Sequence, residues 1–399
     1  MLKKYLYLLE FVFVFLFLSV RFTDAQVQVS TDPNFKVAFI GDTGLGNNFT
    51  STLNNIKTEG AQAVMHQGDF DYQYNPAGWW GRIDQILGSN FPYFVSVGNH
   101  DSASWNEGCS DPDGCYAKFQ KDRLARIGVN IDNPDLNDQL YSVTYKGLRM
   151  VFVGLQGNQL GASTYAPFIQ NQLQSDNHIW KVCSWHKNQS TLQLGTKGDE
   201  MGWEVYETCR QQGAIIATAH EHTYERTKTL TNIQALAVDA SQHPVVNGVP
   251  SNPNSVLVAP GKTFVFVSGS GGQGLRNQDR CLPTTYPYGG GSGCNYIWAS
   301  VNTSDQGGDF GALFITFNVD GNPNKARGYF KENSGRITDQ FEITKSSTPV
   351  TIGPTQPITI PPTNPLSPTS TFNSPTPPFS TIIPTPTIVG GPVCVYFKN

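Results

Sequence analysis

Five short stretches of this sequence gather side chains able to hold metal ions: Gly41-Asp42-Thr43-Gly44, Gly68-Asp69-Phe70-Asp71-Tyr72, Gly98-Asn99-His100-Asp101, Trp185-His186 and Ala219-His220-Glu221-His222. Asp, Asn, His and Tyr offer a mixed oxygen and nitrogen set, which suits divalent and trivalent transition metals and not a thiolate site. The flanking glycines let the backbone turn tightly beside an ion. Taken singly, each stretch has a plain reading: an Asp-x-Gly is a common turn, and a His-x-His on a strand is often a surface pair. Together they use four of the seven histidines in the chain, and each follows an apolar run, which coincidence explains badly.

Those apolar runs are the elements that must position the clusters. Val37 to Ile40, Ala63 to His66, Tyr93 to Val97, Met150 to Gly154, Ile179 to Cys183 and Ala214 to Thr218 read as buried strands. Helical patterns lie between them, around Thr50 to Thr58, Gly78 to Leu87, Tyr116 to Ile127, Tyr165 to Gln174 and Glu200 to Gln211. That is an α/β alternation. In an open α/β sheet, sites are built at the carboxyl ends of strands, so the five clusters are expected to converge on one crevice. The later runs Thr263 to Val267, Ala312 to Val319 and Lys325 to Phe330 have no long helices between them. They predict a second sheet that completes a sandwich.

The ordered set GDTG, GDFDY, GNHD, SWHKN and AHEHTYER resembles the metallophosphatase (calcineurin-like phosphoesterase) superfamily, and more closely its purple acid phosphatase branch. The resemblance spans Lys36 to Phe341, and the Tyr of GDFDY is its branch-specific mark. Ala219 stands where Gly is usual, and SWHKN is a loose match to the fourth motif. The fold implied is α/β, a two-sheet β-sandwich flanked by helices in an αββα arrangement, followed by a disordered C-terminal stalk. The ligands implied are Asp42, Asp69, Tyr72 and His222 for an iron ion. Asp69, Asn99, His186 and His220 would hold a second metal, either zinc, manganese or iron. Asp69 would bridge, as fits two cations about 3.5–4 Å apart that need a shared anion against their repulsion. The metals would bind phosphate oxygens and make a water acidic enough to attack as hydroxide. His100 would protonate the leaving alkoxide or hold the phosphate.

Neighbouring residues read less specifically. If Tyr72 merely packs with its hydroxyl exposed, the site stays binuclear but loses the ferric tyrosinate. Asp71 and Asp101 read as carboxylates that orient ligands or as solvated loop residues. His66, His178 and His243 read as structural. Plant members of the branch carry further histidines soon after the fourth motif, whereas Lys187 to Glu200 contains none, so substrate preference does not carry over. Lys187 reads as a solvated lysine, with phosphate contact as the alternative. The glycine-rich Ser268 to Gly274 lacks the Lys-Ser/Thr ending of a phosphate-binding loop. It reads as a structural turn.

Composition bounds the rest. The 399 residues carry a net charge of −4 with a pI near 6.0, so no broad positive field points to nucleic acid. The expected partner is a phosphorylated small-molecule or protein substrate. Residues 1–25 read as a secretory signal, with Lys3 and Lys4, then the apolar Tyr5 to Val20, then Thr23-Asp24-Ala25 before the cleavage point. No stable membrane span is expected after cleavage. The catalytic domain would occupy 26–345. Residues 346–399 form a Pro/Thr/Ser-rich stalk and short tail: Ser346 to Pro392 holds 13 of the 26 prolines and no charged residue, a composition that cannot build a core. The expected location is secreted and extracellular, or an acidic lysosome-like compartment. Seven cysteines in an exported chain suggest disulfides, with Cys109/Cys115 and Cys281/Cys294 as local staples; Cys183 and Cys209 could equally be buried thiols. Sequons stand at Asn48, Asn188 and Asn302, and Asn188 is the least suited because it lies beside His186.

The expected function is therefore a secreted phosphohydrolase, acid phosphatase-like, acting on phosphate monoesters. A phosphodiesterase or nucleotidase would use the same metals, because leaving-group selectivity lives in loops such as Ser102 to Gly114 and Asn277 to Gly293. A non-catalytic stalked binding protein is the remaining alternative. Intact ligand positions argue against it, since buried charges are costly to keep.

Overall fold

Fourteen strands carry the architecture in the computed structural model, which describes residues 27–110, 114–132, 139–154, 162–278 and 294–346. In chain order they are β1 (Phe35–Ile40), β2 (Ala63–His66), β3 (Tyr93–Val95), β4 (Leu140–Tyr145), β5 (Leu148–Val153), β6 (Trp180–Ser184) and β7 (Ile215–Thr218). There follow β8 (Tyr224–Thr227), β9 (Ser255–Val258), β10 (Val265–Ser268), β11 (Trp298–Asn302), β12 (Gly311–Phe317), β13 (Lys325–Glu332) and β14 (Ile337–Lys345). One sheet runs β9-β14-β13-β12-β1-β2-β3 and the other β11-β8-β10-β7-β6-β5-β4. The described residues all fall in one compact unit ending at Thr351. The expected signal segment, Cys281 and the stalk beyond Ser346 lie outside them.

The two-sheet sandwich matches the expected fold class, but the strands are shared out differently. Gly311–Phe317 pairs antiparallel with β1, and Lys325–Glu332 extends that same first sheet. The second sheet instead begins at β4 and takes in β5 to β8. Late strands thus complete the sheet that β1 opened. β8 escaped the pattern because its Glu225 and Arg226 are polar yet fully buried, leaving no alternation of apolar residues to read.

Within each sheet the strands that precede the clusters nominated from the sequence are parallel and in line. Ile40 lies opposite His66, and His66 opposite Val95; in the other sheet Ser184 lies opposite Ala217. Their carboxyl ends therefore come out flush at one edge of each sheet. Parallel neighbours need crossover connections, supplied here by helices with one apolar stripe. In Asn47–Thr58 the buried residues are Phe49, Thr52, Leu53 and Ile56, spaced three and four apart. Helix Pro76–Leu87 starts where Asn75 Oδ1 accepts from Gly78 N at 2.9 Å, with Pro76 in its first turn, and buries Trp79, Trp80 and Ile83.

The inner faces of the sheets meet through aromatic contacts: Phe39 with Phe266 at 5.2 Å, Trp180 with Phe317 at 5.3 Å, and Tyr224 stacked on Phe330 at 4.2 Å. Near the site the sheets are pinned by polar bonds. Ser96 Oγ and Ser184 Oγ are 2.7 Å apart, and Ser268 Oγ donates to the Phe39 carbonyl at 2.8 Å. A buried ion pair adds a further tie between β8 and β14, with Arg226 Nε 2.6 Å and Nη2 2.8 Å from the Asp339 carboxylate. Cys109 and Cys115 are bonded, as their spacing predicted, with Cα atoms 4.6 Å apart. Cys183 and Cys209 are bonded too, joining β6 to the helix Trp203–Gln211 across 6.4 Å between Cα atoms. Sequence separation alone left that pair open.

Candidate metal centre

The turns that leave β1, β2 and β7 hold non-glycine residues in the left-handed backbone region: Asp42 (φ 53°), Asp69 (φ 58°), Tyr72 (φ 61°) and His220 (φ 70°). Each such residue costs roughly 1–3 kcal/mol and persists only where its surroundings enforce it. Four of the seven nominated ligands carry this strain. Glycines keep the turns tight: a Cβ on Gly98 would overlap the Asp69 carboxylate, and one on Gly41 would meet the Ala219 side chain.

Asp69, His186 and His220 converge closely, with one ligand atom from each within 4.8 Å of the others. His186 Nε2 lies 3.2 Å from Asp69 Oδ2, 3.9 Å from Asp42 Oδ1 and 3.0 Å from His220 Nδ1. The outer nitrogens are occupied. His186 Nδ1 lies 2.8 Å from the Gln67 carbonyl, and His220 Nε2 lies 3.0 Å from Glu200 Oε2. Both acceptors demand N–H groups, so the outer nitrogens carry protons, and His186 Nε2 and His220 Nδ1 are the nitrogens turned toward one another and toward the carboxylates. Burial alone would drive the proton off His186, but Asp69 and Asp42 outweigh it and push that imidazole up to about 9. Burial brings His220 down to about 4 despite Glu200. The cluster thus concentrates negative charge that a cation would satisfy, and metal binding would release the proton.

Asp42, Tyr72 and His222 form the adjoining group. The Tyr72 hydroxyl donates to Asp42 Oδ1 at 3.0 Å and sits 3.2 Å from His222 Nε2, which is 3.3 Å from that same Asp42 oxygen. His222 Nδ1 is turned to the Gly274 carbonyl at 2.8 Å, leaving Nε2 free to ligate. Asp42 is fully buried, which opposes its charge, yet His186, His222 and His220 hold its carboxyl far below the ordinary range. Burial and the Asp42 and Asp69 carboxylates push the Tyr72 phenol far up. A strong cation would be needed to take its proton. The hydroxyl faces this group, which answers the plain reading of Tyr72 as a packing residue with an exposed hydroxyl.

Asn99 and His100 follow β3. Asn99 Oδ1 is buried and accepts no hydrogen bond among the described residues, an orphaned oxygen of the sort a cation satisfies. His100 donates its backbone N–H to Asp69 Oδ1 at 2.9 Å. Its ring is 47% exposed, 4.4 Å from the Tyr72 ring, with Nε2 3.9 Å from Asp69 Oδ2. Of the nominated residues it is the most exposed, and its ring lies beside the Asp69 carboxylate.

The supporting residues behave as orienting groups. Asp101 accepts from Asp69 N, Phe70 N and Gly98 N at 2.7, 2.8 and 2.9 Å, clamping the β2 turn to the β3 turn. Asp71 accepts from the backbone N–H groups of Gln73, Tyr74 and Asn75 and so fixes the turn that presents Tyr72. The glycine-rich segment is a structural turn pressed on the site: Gly271 N donates to the Gly41 carbonyl, Gln273 N to the Asp42 carbonyl, and Gly274 O receives His222. His66 accepts from Gly68 N at 3.1 Å within a cage of Phe70, Trp79 and Tyr93. His178 pairs with Asp176, and His243 links Thr229 to Ser251.

Sequence reasoning missed Glu200, which carries His220, because it lies far from the histidine in sequence and no local spacing announces it. Lys187 is half-buried and paired, with its Nζ 2.8 Å from Glu200 Oε1. Asn188 is buried, donating to the Ala219 carbonyl at 2.6 Å and accepting from Tyr206 at 3.1 Å, so it supports the His220 turn.

Residues 35–224 match the family model described as calcineurin-like phosphoesterase. Among solved structures, the fold is similar to a purple acid phosphatase isolated from yellow lupin (Lupinus luteus) seeds, at 18% identity and a TM-score of 0.53, over 80% of this chain and 56% of that one. The chain thus spans just over half the length of that relative. PhoD also matches, at 12% identity and a TM-score of 0.43, over 82% of this chain and 74% of that chain.

Proposed function

Because this chain carries a calcineurin-like phosphoesterase domain, we propose that it is a metal-dependent phosphatase that hydrolyses phosphate monoesters with two ions held side by side. The observation that carries the reading is the paired histidines: His186 and His220 turn their inner ring nitrogens toward each other and toward Asp69, while each outer nitrogen is spoken for. Imidazoles backed by a carbonyl or carboxylate are the usual form of metal-bound histidine.

Asp42, Asp69, Tyr72 and His222 would hold one ion, and Asp69, Asn99, His186 and His220 the other, with Asp69 shared. The phenol of Tyr72 favours ferric iron in the first position; zinc, manganese or iron suits the second. Such ions supply Lewis acidity to phosphate oxygens and acidify water. The chain's own residues do the rest. Asp101, which accepts from the Asp69 N–H, and the His100 N–H, which donates to the Asp69 carboxylate, hold Asp69 in place ahead of the reaction. His100, exposed at the rim, can give its proton to the departing alkoxide. Loops at the rim set the leaving group that fits.

The N-terminal segment further supports export, with work outside the cell or in an acidic compartment. No helix among the described residues is long and apolar enough to cross a membrane. The test is to purify the exported chain, load it with iron and zinc, and compare p-nitrophenyl phosphate with bis-(p-nitrophenyl) phosphate. Preference for the monoester supports the reading. Preference for the diester turns it to a phosphodiesterase, and inactivity with every metal tried favours a binding protein.

A further inference from the structure

Of the three histidines whose inner nitrogens face the candidate centre, two rest on backbone carbonyls and one on a side chain. His186 gives its outer N–H to Gln67 O, and His222 to Gly274 O. His220 instead meets Glu200 Oε2 at 3.0 Å, and the other Glu200 oxygen is 2.8 Å from Lys187 Nζ. A chain of charge therefore runs from Lys187 through Glu200 to His220, and from His220 Nδ1 into the crevice.

The backbone on both sides of Glu200 is held. Glu200 N donates to the Asn188 carbonyl at 3.1 Å, while Met201 N and Gly202 N donate to Gln189 Oε1 at 2.9 and 3.0 Å. Asn188 and Gln189 directly follow the histidine-lysine pair after β6, so the loop folds back and ties Glu200 to the same turn that carries His186. His220 itself sits in a strained left-handed turn. A carboxylate behind it does two things that a carbonyl does less well: it fixes the tautomer with the proton outward, and it raises the donor strength of the inner nitrogen.

We propose that Glu200, set by Lys187, is the positioning residue for the second metal, holding His220 with Nδ1 toward the ion. The inference rests on the two-metal reading above. Removal of such a partner typically lowers metal affinity by about 10–100-fold. Glu200 is 24% exposed, so its replacement leaves the core intact.

The test uses the full chain, stripped with a chelator and titrated with zinc, with uptake read by mass spectrometry of bound metal and by the thermal shift. Glu200→Ala is expected to weaken the second uptake step by about 10–100-fold while the first step and the melting temperature of the metal-free chain stay as in the parent. Glu200→Gln, which keeps an accepting oxygen but no charge, is expected to fall between the two. An Ala variant within about twofold of the parent at the second step, against that range, overturns the role of Glu200 while leaving the two-metal reading standing. A parent chain with no second uptake step overturns the two-metal reading, and this inference with it.

Discussion

His186 Nε2 and His220 Nδ1 lie 3.0 Å apart across the crevice between the turns after β6 and β7, with the other nitrogen of each ring bonded to Gln67 O and Glu200 respectively. In the metal-free chain the proton that Asp69 and Asp42 hold on His186 faces this gap, and a metal ion would take its place. Replacing either ring with Ala is expected to remove one metal per chain and lower turnover on a phosphomonoester by on the order of 100-fold or more, the equivalent of several kcal/mol of lost charge stabilisation. Metal analysis beside initial rates checks it.

Tyr72 offers a spectroscopic handle. Its hydroxyl lies 3.0 Å from Asp42 and 3.2 Å from His222, so ferric iron among these three would give a phenolate charge-transfer band in the visible. Tyr72→Phe should abolish the colour and weaken the first metal while leaving the second in place. A band that survives in Tyr72→Phe would assign the colour to another ligand.

The tie between the sheets is expected to be costly to cut. Arg226 and Asp339 are buried and bidentate, with Tyr224 donating to the same carboxylate at 2.7 Å. Asp339→Ala strands a buried guanidinium and should destabilise the chain by about 3–5 kcal/mol, read as a lower urea midpoint.

His66 makes stability depend on pH. Burial pushes its imidazole down to about 3 against an ordinary 6.5, and the ring stays neutral as acceptor for Gly68 N. The unfolded chain takes up that proton below 6.5 and the folded chain only below about 3. Between those values the unfolded state binds more protons, so this residue's contribution is full above 6.5 and is lost as the pH falls, by up to about 1.4 kcal/mol per unit. In His66→Gln that part of the urea midpoint's slope between pH 6.5 and 4 should vanish; an unchanged slope assigns the acid sensitivity elsewhere.

Of the three sequons, only Asn48 is exposed, at the start of the helix Asn47–Thr58. Asn188 and Asn302 are buried, and each donates its side-chain amide to a backbone carbonyl. Exported protein is therefore expected to lose one N-glycan on enzymatic deglycosylation, and Asn48→Gln to lose it beforehand. Retention of the mass shift in Asn48→Gln contradicts that placement.

Most strands and helices before Gly213 were legible from apolar runs and helical spacing, and Ala63–His66 starts and ends where the pattern put it; Leu140–Tyr145 was not, because Ser142 and Thr144 interrupt its apolar run. The sharing of strands between sheets was not. Whether Gly311–Phe317 pairs with β1 or with a later strand is decided by contacts hundreds of residues apart, and its apolar run is compatible with either sheet. At the site, residues that touch the crevice advertised themselves by type and by place after a strand. Glu200 and the Gly274 carbonyl act at one remove, through a fold that sequence spacing does not encode.

The most direct test of the central claim is a count of metal ions bound per chain in the parent and in Asp69→Ala, with phosphomonoesterase activity recorded on the same samples. Two ions and activity in the parent, with both the second ion and the activity gone in Asp69→Ala, is the predicted result. An Asp69→Ala chain that keeps two ions and full activity would contradict a shared carboxylate at the heart of the site.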